Sequence, residues 1–180
     1  MIGPGRPSLY APDAEYLRLV ASADAGTAAR LLVSELAVWE GLGHGDALAL
    51  PRLATTFVRA RQLALAPALR DWLAADGSPV RCEIAGWFLW SYWPGPAVDV
   101  ALVEQLLGVT AGRLDHQPVA LSAVLLALAS AARDLGGPLG DRVDARLGYF
   151  ADRAAQFRLG RAVVDSIHEA GRGRRGWRGG

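Results

Sequence analysis

The chain has 180 residues, enough for one domain with a substantial core and too few for two comfortable ones. Its hydrophobic fraction of 52% rests on Ala and Leu rather than on Val, Ile and Thr, which favours helix over sheet. The formal net charge is +1, but residues 1–170 carry 15 Arg against 18 acids, a net of −3, so a domain-wide basic footprint for nucleic acid is excluded.

All 19 basic residues are Arg, and Lys and Asn are absent. Such a bias fits GC-rich coding and makes arginine weak evidence of arginine chemistry. The single cysteine, Cys82, cannot close an internal disulfide, and MIGPGRPSLYAPDAEY lacks the basic-then-apolar pattern of a secretory signal, so a cytoplasmic location is expected. The longest uncharged apolar run, Pro118 to Ala132, is shorter than the ~20 residues that span a bilayer. It reads as a buried helix, and no membrane association is expected.

Residues 1–11, with three prolines and two glycines, read as an extended arm. A single all-helical domain of eight to nine helices is expected over 12–170. Tyr16, Leu17 and Val20 give a first helix from Pro12 to about Ala23, with Thr27 as the next N-cap. Leu31, Leu32, Leu36 and Trp39 mark a second helix that ends at GLGHGD. Asp46 is placed to cap the next helical stretch, and Pro51 and Pro67 divide that region into helices at about 52–64 and 66–75.

Ser78-Pro79 is a start signal, since serine accepts an orphan amide and proline at the first helical position loses nothing. The helix from 79 to about 93 carries Trp87, Phe88, Trp90, Tyr92 and Trp93 with little polar face beyond Arg81, Glu83 and Ser91, so it must be covered on several sides. VDVALVEQLLG gives another helix, and Pro118 opens one to about Leu135. Beyond it, Val143, Leu147, Phe150, Ala154 and Phe157 predict one long amphipathic helix, kinked at Gly160 before Val163, Val164 and Ile167. The Arg/Gly tail, 171–180, has nothing to bury and is expected to be disordered unless bound.

Asp76-x-x-Pro79-Val80 recurs as Asp115-x-x-Pro118-Val119, a shift of 39 residues, and Leu89 with Ser91 matches Leu128 with Ser130. Pro67, Leu69, Leu73, then Asp76 in the turn, then Val80-Arg81 and Ile84-Ala85, resemble a HEAT repeat over about 66–92; the second unit, about 105–132, has Ala120 where Arg81 stands. The resemblance implies a short α-solenoid stack of antiparallel helix pairs that works as a surface for partners, with the alternative of an irregular helical bundle.

Catalytic and cofactor patterns do not emerge. The glycines around His44 follow a helix and hold no lysine, unlike a P-loop or a dinucleotide fingerprint, which leaves a loop. Asp165, His168 and Glu169 sit near a helix end without the Glu-x-x-His pattern of a di-iron bundle, and Asp115-His116 reads as turn chemistry. Cys82 near a helix start is a nucleophile in principle and a packed thiol by its apolar neighbours.

No catalytic residue, metal or cofactor is therefore expected. Trp87, Trp90, Tyr92 and Trp93 divide between core and a protein-partner or homo-oligomer patch. Two alternatives stand beside that reading. Arg172, Arg174, Arg175 and Arg178 with Trp177 suit a weak, salt-dependent nucleic-acid contact, joined by Arg52, Arg59 and Arg61. An apolar pocket lined by Trp39, Trp72 or Trp87 suits an enzyme or a small-ligand binder.

Overall fold

The structure, a computed structural model, describes residues 14–93 and 98–177, with side chains as far as 171. The arm at 1–11 and Arg178 lie outside the described residues. Among the described residues the protein is all-α: α1 (Ala14–Ser22), α2 (Ala25–Leu42), α3 (Ala49–Arg59), α4 (Ala66–Ala75), α5 (Pro79–Tyr92), α6 (Val100–Val109), α7 (Pro118–Ala132), α8 (Gly137–Asp152) and α9 (Arg161–Trp177).

Short polar side chains set the helix starts. Asp24, not Thr27, caps α2: its carboxylate accepts the Thr27 amide at 2.8 Å and the Thr27 hydroxyl at 3.0 Å. Those bonds hold the Asp24 carboxyl below the usual carboxylate range. Thr27 is the third helical residue, so its hydroxyl serves the cap instead of being it. Gly43, at φ 78°, ends α2 in the left-handed conformation that glycine adopts without cost. Asp46 accepts the Leu48 and Ala49 amides at 2.8 and 2.7 Å. It starts α3 earlier than expected, and Pro51 falls inside the first turn, where its missing N–H is not needed. Ser78 accepts the Arg81 amide at 3.3 Å, as its sequence signal implies.

The helices pack on their second neighbours in the chain. α1 meets α3, α3 meets α5, α5 meets α7 and α7 meets α9, while α2 meets α4 and α4 meets α6. The units 39 residues apart fall on α4–α5 and α6–α7. Two helices form the interior. No residue of α5 is exposed, and every residue of α7 from Ala123 to Ala132 is buried. They approach so closely at Gly86 that a Cβ there would lie 2.5 Å from the Ala123 carbonyl carbon. Farther along, the Ser130 hydroxyl donates to the Trp90 carbonyl at 3.0 Å, which satisfies a polar group inside that packing.

One expectation for the C-terminal region is corrected. The periodic run to Phe157 is not one helix: α8 stops at Asp152, and a turn with Arg158 at φ 55° separates it from α9. The turn folds Phe157 back onto Phe150, ring centroids 4.8 Å apart. Steps of three and four carry both rings to one side whether the chain continues or doubles back, so the period cannot separate the two. The backbone of α9 runs on as helix as far as Trp177. Val163, Ile167 and Ala170 are buried, which anchors the start of α9, and extending a formed helix is far cheaper than nucleating one.

Candidate functional site

The aromatic helix splits into a buried part and a partly exposed edge. Tyr92 is 3% exposed and Trp93 1%, so these two are core and contribute no accessible partner surface. The Tyr92 hydroxyl donates to the Gln62 carbonyl at 2.9 Å and accepts the Leu65 amide at 3.4 Å. Gln62 in turn donates to the Val20 and Ala23 carbonyls at 3.0 and 2.8 Å, tying α5 to the corner after α1. Trp87 and Trp90 are half-buried, with centroids 6.0 Å apart in an edge-on arrangement.

The GLGHGD loop lies on that edge. Glu83 accepts the Gly45 amide at 2.8 Å, and Gly45 is pressed so near Trp87 that a Cβ would come within 2.8 Å of its ring. His44 is exposed with its ring 6.3 Å from Trp39. Leu42 and Leu48, which flank the loop, are 51% and 70% exposed. The edge therefore combines two half-buried indoles, a backbone segment held by one carboxylate and two uncovered leucines. Sequence reasoning found the indoles and missed the leucines, because a leucine beside a helix end looks the same whether it turns inward or outward.

Arg81 joins three helices. Its Nε meets a Glu40 carboxylate oxygen at 2.7 Å, Nη1 donates to the Trp72 carbonyl, and the guanidinium carbon stands 4.9 Å from the Trp72 ring centroid. The charged partner is on α2 and is not the turn aspartate of a repeat ladder. Trp39 and Trp72 are 2% and 7% exposed.

One concavity, of about 330 Å³, lies among α4, α5 and α6 and is lined by Leu73, Cys82, Gln105, Leu106, Val109 and Arg113 among others. Burial pushes the Cys82 thiol above its ordinary value; Arg113 pulls the other way, and Asp76 adds to the rise. The raised value argues against a ready nucleophile. A second concavity, of about 620 Å³, runs between α6 and α8 under a two-pronged Arg142–Glu104 ion pair at 2.6 and 2.8 Å, with Tyr149 on its rim. Trp39, Trp72 and Trp87, expected to line an apolar pocket, line neither of these two.

The remaining titratable candidates stay apart. His116, Asp115, His168 and Glu169 are exposed, and Asp165 is 3.7 Å from Arg161 on the same helix. Among the described residues no three His, Cys, Asp or Glu side chains are grouped to hold a metal ion, and no helix is long and apolar enough to cross a membrane. Arg52 and Arg59 are exposed on α3, with Arg61 just beyond it, while Arg172, Arg174, Arg175 and Trp177 follow the backbone of α9.

No protein-family model matches the chain, and neither a curated protein nor a solved structure matches it.

Proposed function

We propose that this chain is a non-enzymatic protein-interaction module: a short HEAT-like helix stack that docks a protein partner on the edge formed by the 42–48 segment, Trp87 and Trp90. Support for the stack comes from the second-neighbour helix packing and from the 39-residue spacing of α4–α5 and α6–α7. The observation that carries the docking role is the exposure of Leu42 and Leu48 on either side of a loop seated against the half-buried Trp87. Aromatic side chains with an uncovered apolar margin are the composition of interface centres, where tryptophan contributes most per residue.

A photo-crosslinking residue in place of Leu48, with an identical substitution at exposed Asp152 as the control, tests the reading in the native host. A discrete adduct at position 48 that disappears when Leu42→Glu is added supports it. Equal labelling at both positions, or none at 48, removes it. Sedimentation of the purified chain separates a second copy from a different protein: a dimer dissolved by Leu48→Glu identifies self-association.

A further inference from the structure

The cavity among α4, α5 and α6 has features that a packing defect would not need. Its volume of about 330 Å³ lies within the range of small-ligand pockets, ~300–1,000 Å³. Leu73, Leu106 and Val109 supply apolar wall, and three polar groups interrupt it: Cys82, Gln105 and Arg113.

Arg113 is the informative one. Arg113 is exposed, and no carboxylate among the described residues pairs with it, which leaves its guanidinium open to an anion. One of its guanidinium nitrogens lies over Gly77, 2.7 Å from where a Cβ would stand, so the cation rests at the cavity wall in space that only glycine leaves free. Its charge is felt at Cys82, which lines the same cavity. Gln105 adds an independent sign. Its amide nitrogen donates to the Arg70 carbonyl at 3.4 Å, and its oxygen is buried without a partner. A buried acceptor left unmade costs ~1–3 kcal/mol, which an N–H or O–H on the bound molecule would recover.

We propose that this cavity binds a compact organic monoanion, with its apolar body between Leu73, Leu106 and Val109 and its carboxylate on the Arg113 guanidinium. A planar guanidinium matches a carboxylate through two parallel hydrogen bonds. A monoanion is favoured over a dianion because one cation faces the site and Asp76 lies near enough to act on Cys82. The site is independent of the docking edge, which lies on α2, the following loop and the other part of α5.

Cys82 is the only cysteine, so alkylation of the full chain reports on this cavity alone. The probes are benzoate, cyclohexanecarboxylate and indole-2-carboxylate, with benzamide as the neutral match and phenyl phosphate as the dianion. At least one carboxylate should slow Cys82 alkylation about tenfold when present at about ten times its Kd, and should raise Tm in step. Benzamide should do neither, and phenyl phosphate should protect less. Arg113→Gln should abolish the carboxylate effect while leaving the ligand-free Tm unchanged, Gly77→Ala should weaken it by displacing the guanidinium, and Arg142→Gln should leave it intact. The proposal is overturned if none of the three carboxylates protects more than benzamide, or if protection survives in Arg113→Gln.

Discussion

Gly86 lies against the Ala123 backbone, with room for a hydrogen and not for a methyl: an added Cβ would stand 2.5 Å from the Ala123 carbonyl carbon and 2.7 Å from the Val124 nitrogen. The obstructing atoms are backbone, which cannot swing aside as a side-chain end can. Gly86→Ala therefore forces α5 and α7 apart in the interior, where extra volume typically costs ~1–3 kcal/mol, against a helix-propensity gain of at most ~1 kcal/mol. The expected result is a net loss of stability and a lower Tm. Gly148→Ala on α8 is the matched control, since nothing lies within 4 Å of its added methyl, and it should hold or raise Tm. Thermal unfolding of the two variants side by side decides it: a Gly86→Ala protein as stable as Gly148→Ala would mean that the two central helices are not in such close contact.

Arg81 gathers three contacts on one side chain: an ion pair to α2, a hydrogen bond to the α4 backbone and a face on the Trp72 ring. Its side chain is 15% exposed, so the charge is largely removed from water and depends on these partners. Arg81→Lys keeps the charge but loses the planar fork and the stacking, and it should destabilise by about 1.5–3 kcal/mol, the range for a hydrogen bond to a charged group. Denaturant unfolding of Arg81→Lys, Glu40→Gln and the double variant should give a coupling of at least about 0.5 kcal/mol. Additive effects would show that the Arg81–Glu40 pair contributes geometry without energy.

Legibility in the sequence depended on whether the signal was local. Ser78-Pro79, Gly43 and Asp46 bound their helices through hydrogen bonds to residues at most four positions away, and their patterns are visible in the letters. The enclosure of α5 was equally legible, because a helix without a polar face has no other stable place. The failures involved distance or direction. Nothing near Phe157 says that it turns back onto Phe150. The carboxylate that reaches Arg81 is 41 positions earlier, on α2, beyond the reach of any local spacing. Tyr92 and Trp93 looked like their neighbours Trp87 and Trp90, and only the packing of α3 and α7 on α5 separates the buried pair from the half-buried one. Arg113 gave no sequence sign at all, since its role rests on Gly77, in a different helix–turn unit.

Tyr92 makes alkaline stability a readout of the core. Burial pushes its phenol up to about 12, the Leu65 amide pulling modestly the other way, while an unfolded tyrosine ionises near ~10. The folded value is the raised one, so the contribution is fully present below about pH 10 and is lost as pH rises from there through about 12. Tyr16 is pushed upward as well, chiefly by burial and then by Glu35, and acts in the same direction. The urea midpoint should therefore fall between about pH 9 and about pH 11, and Tyr92→Phe should show a smaller fall. At neutral pH the same substitution leaves the Gln62 carbonyl without its donor and should cost about 1–3 kcal/mol. An unchanged alkaline slope in Tyr92→Phe would place the hydroxyl in water.

The loop on the aromatic edge is tied to α5 by the hydrogen bond from the Gly45 amide to Glu83 and by the fit of Gly45 on the Trp87 ring. These two restraints can be removed separately. Glu83→Ala deletes the acceptor and leaves the Gly45 amide to find water. Gly45→Ala keeps the acceptor but places a methyl 2.8 Å from the indole, which must displace the loop. Each change should uncover Trp87, shifting its emission to the red and raising the fraction of tryptophan fluorescence that iodide quenches, while the helical circular dichroism stays constant. Trp87→Phe in each background should remove most of the change, because Trp87 is the indole that Gly45 is pressed against. If the docking role is right, both variants should also alter the crosslinking yield at position 48, since Leu48 follows that loop directly. Emission that stays blue in Glu83→Ala would show that ring packing alone holds the segment, and the carboxylate would then have no part in shaping the edge.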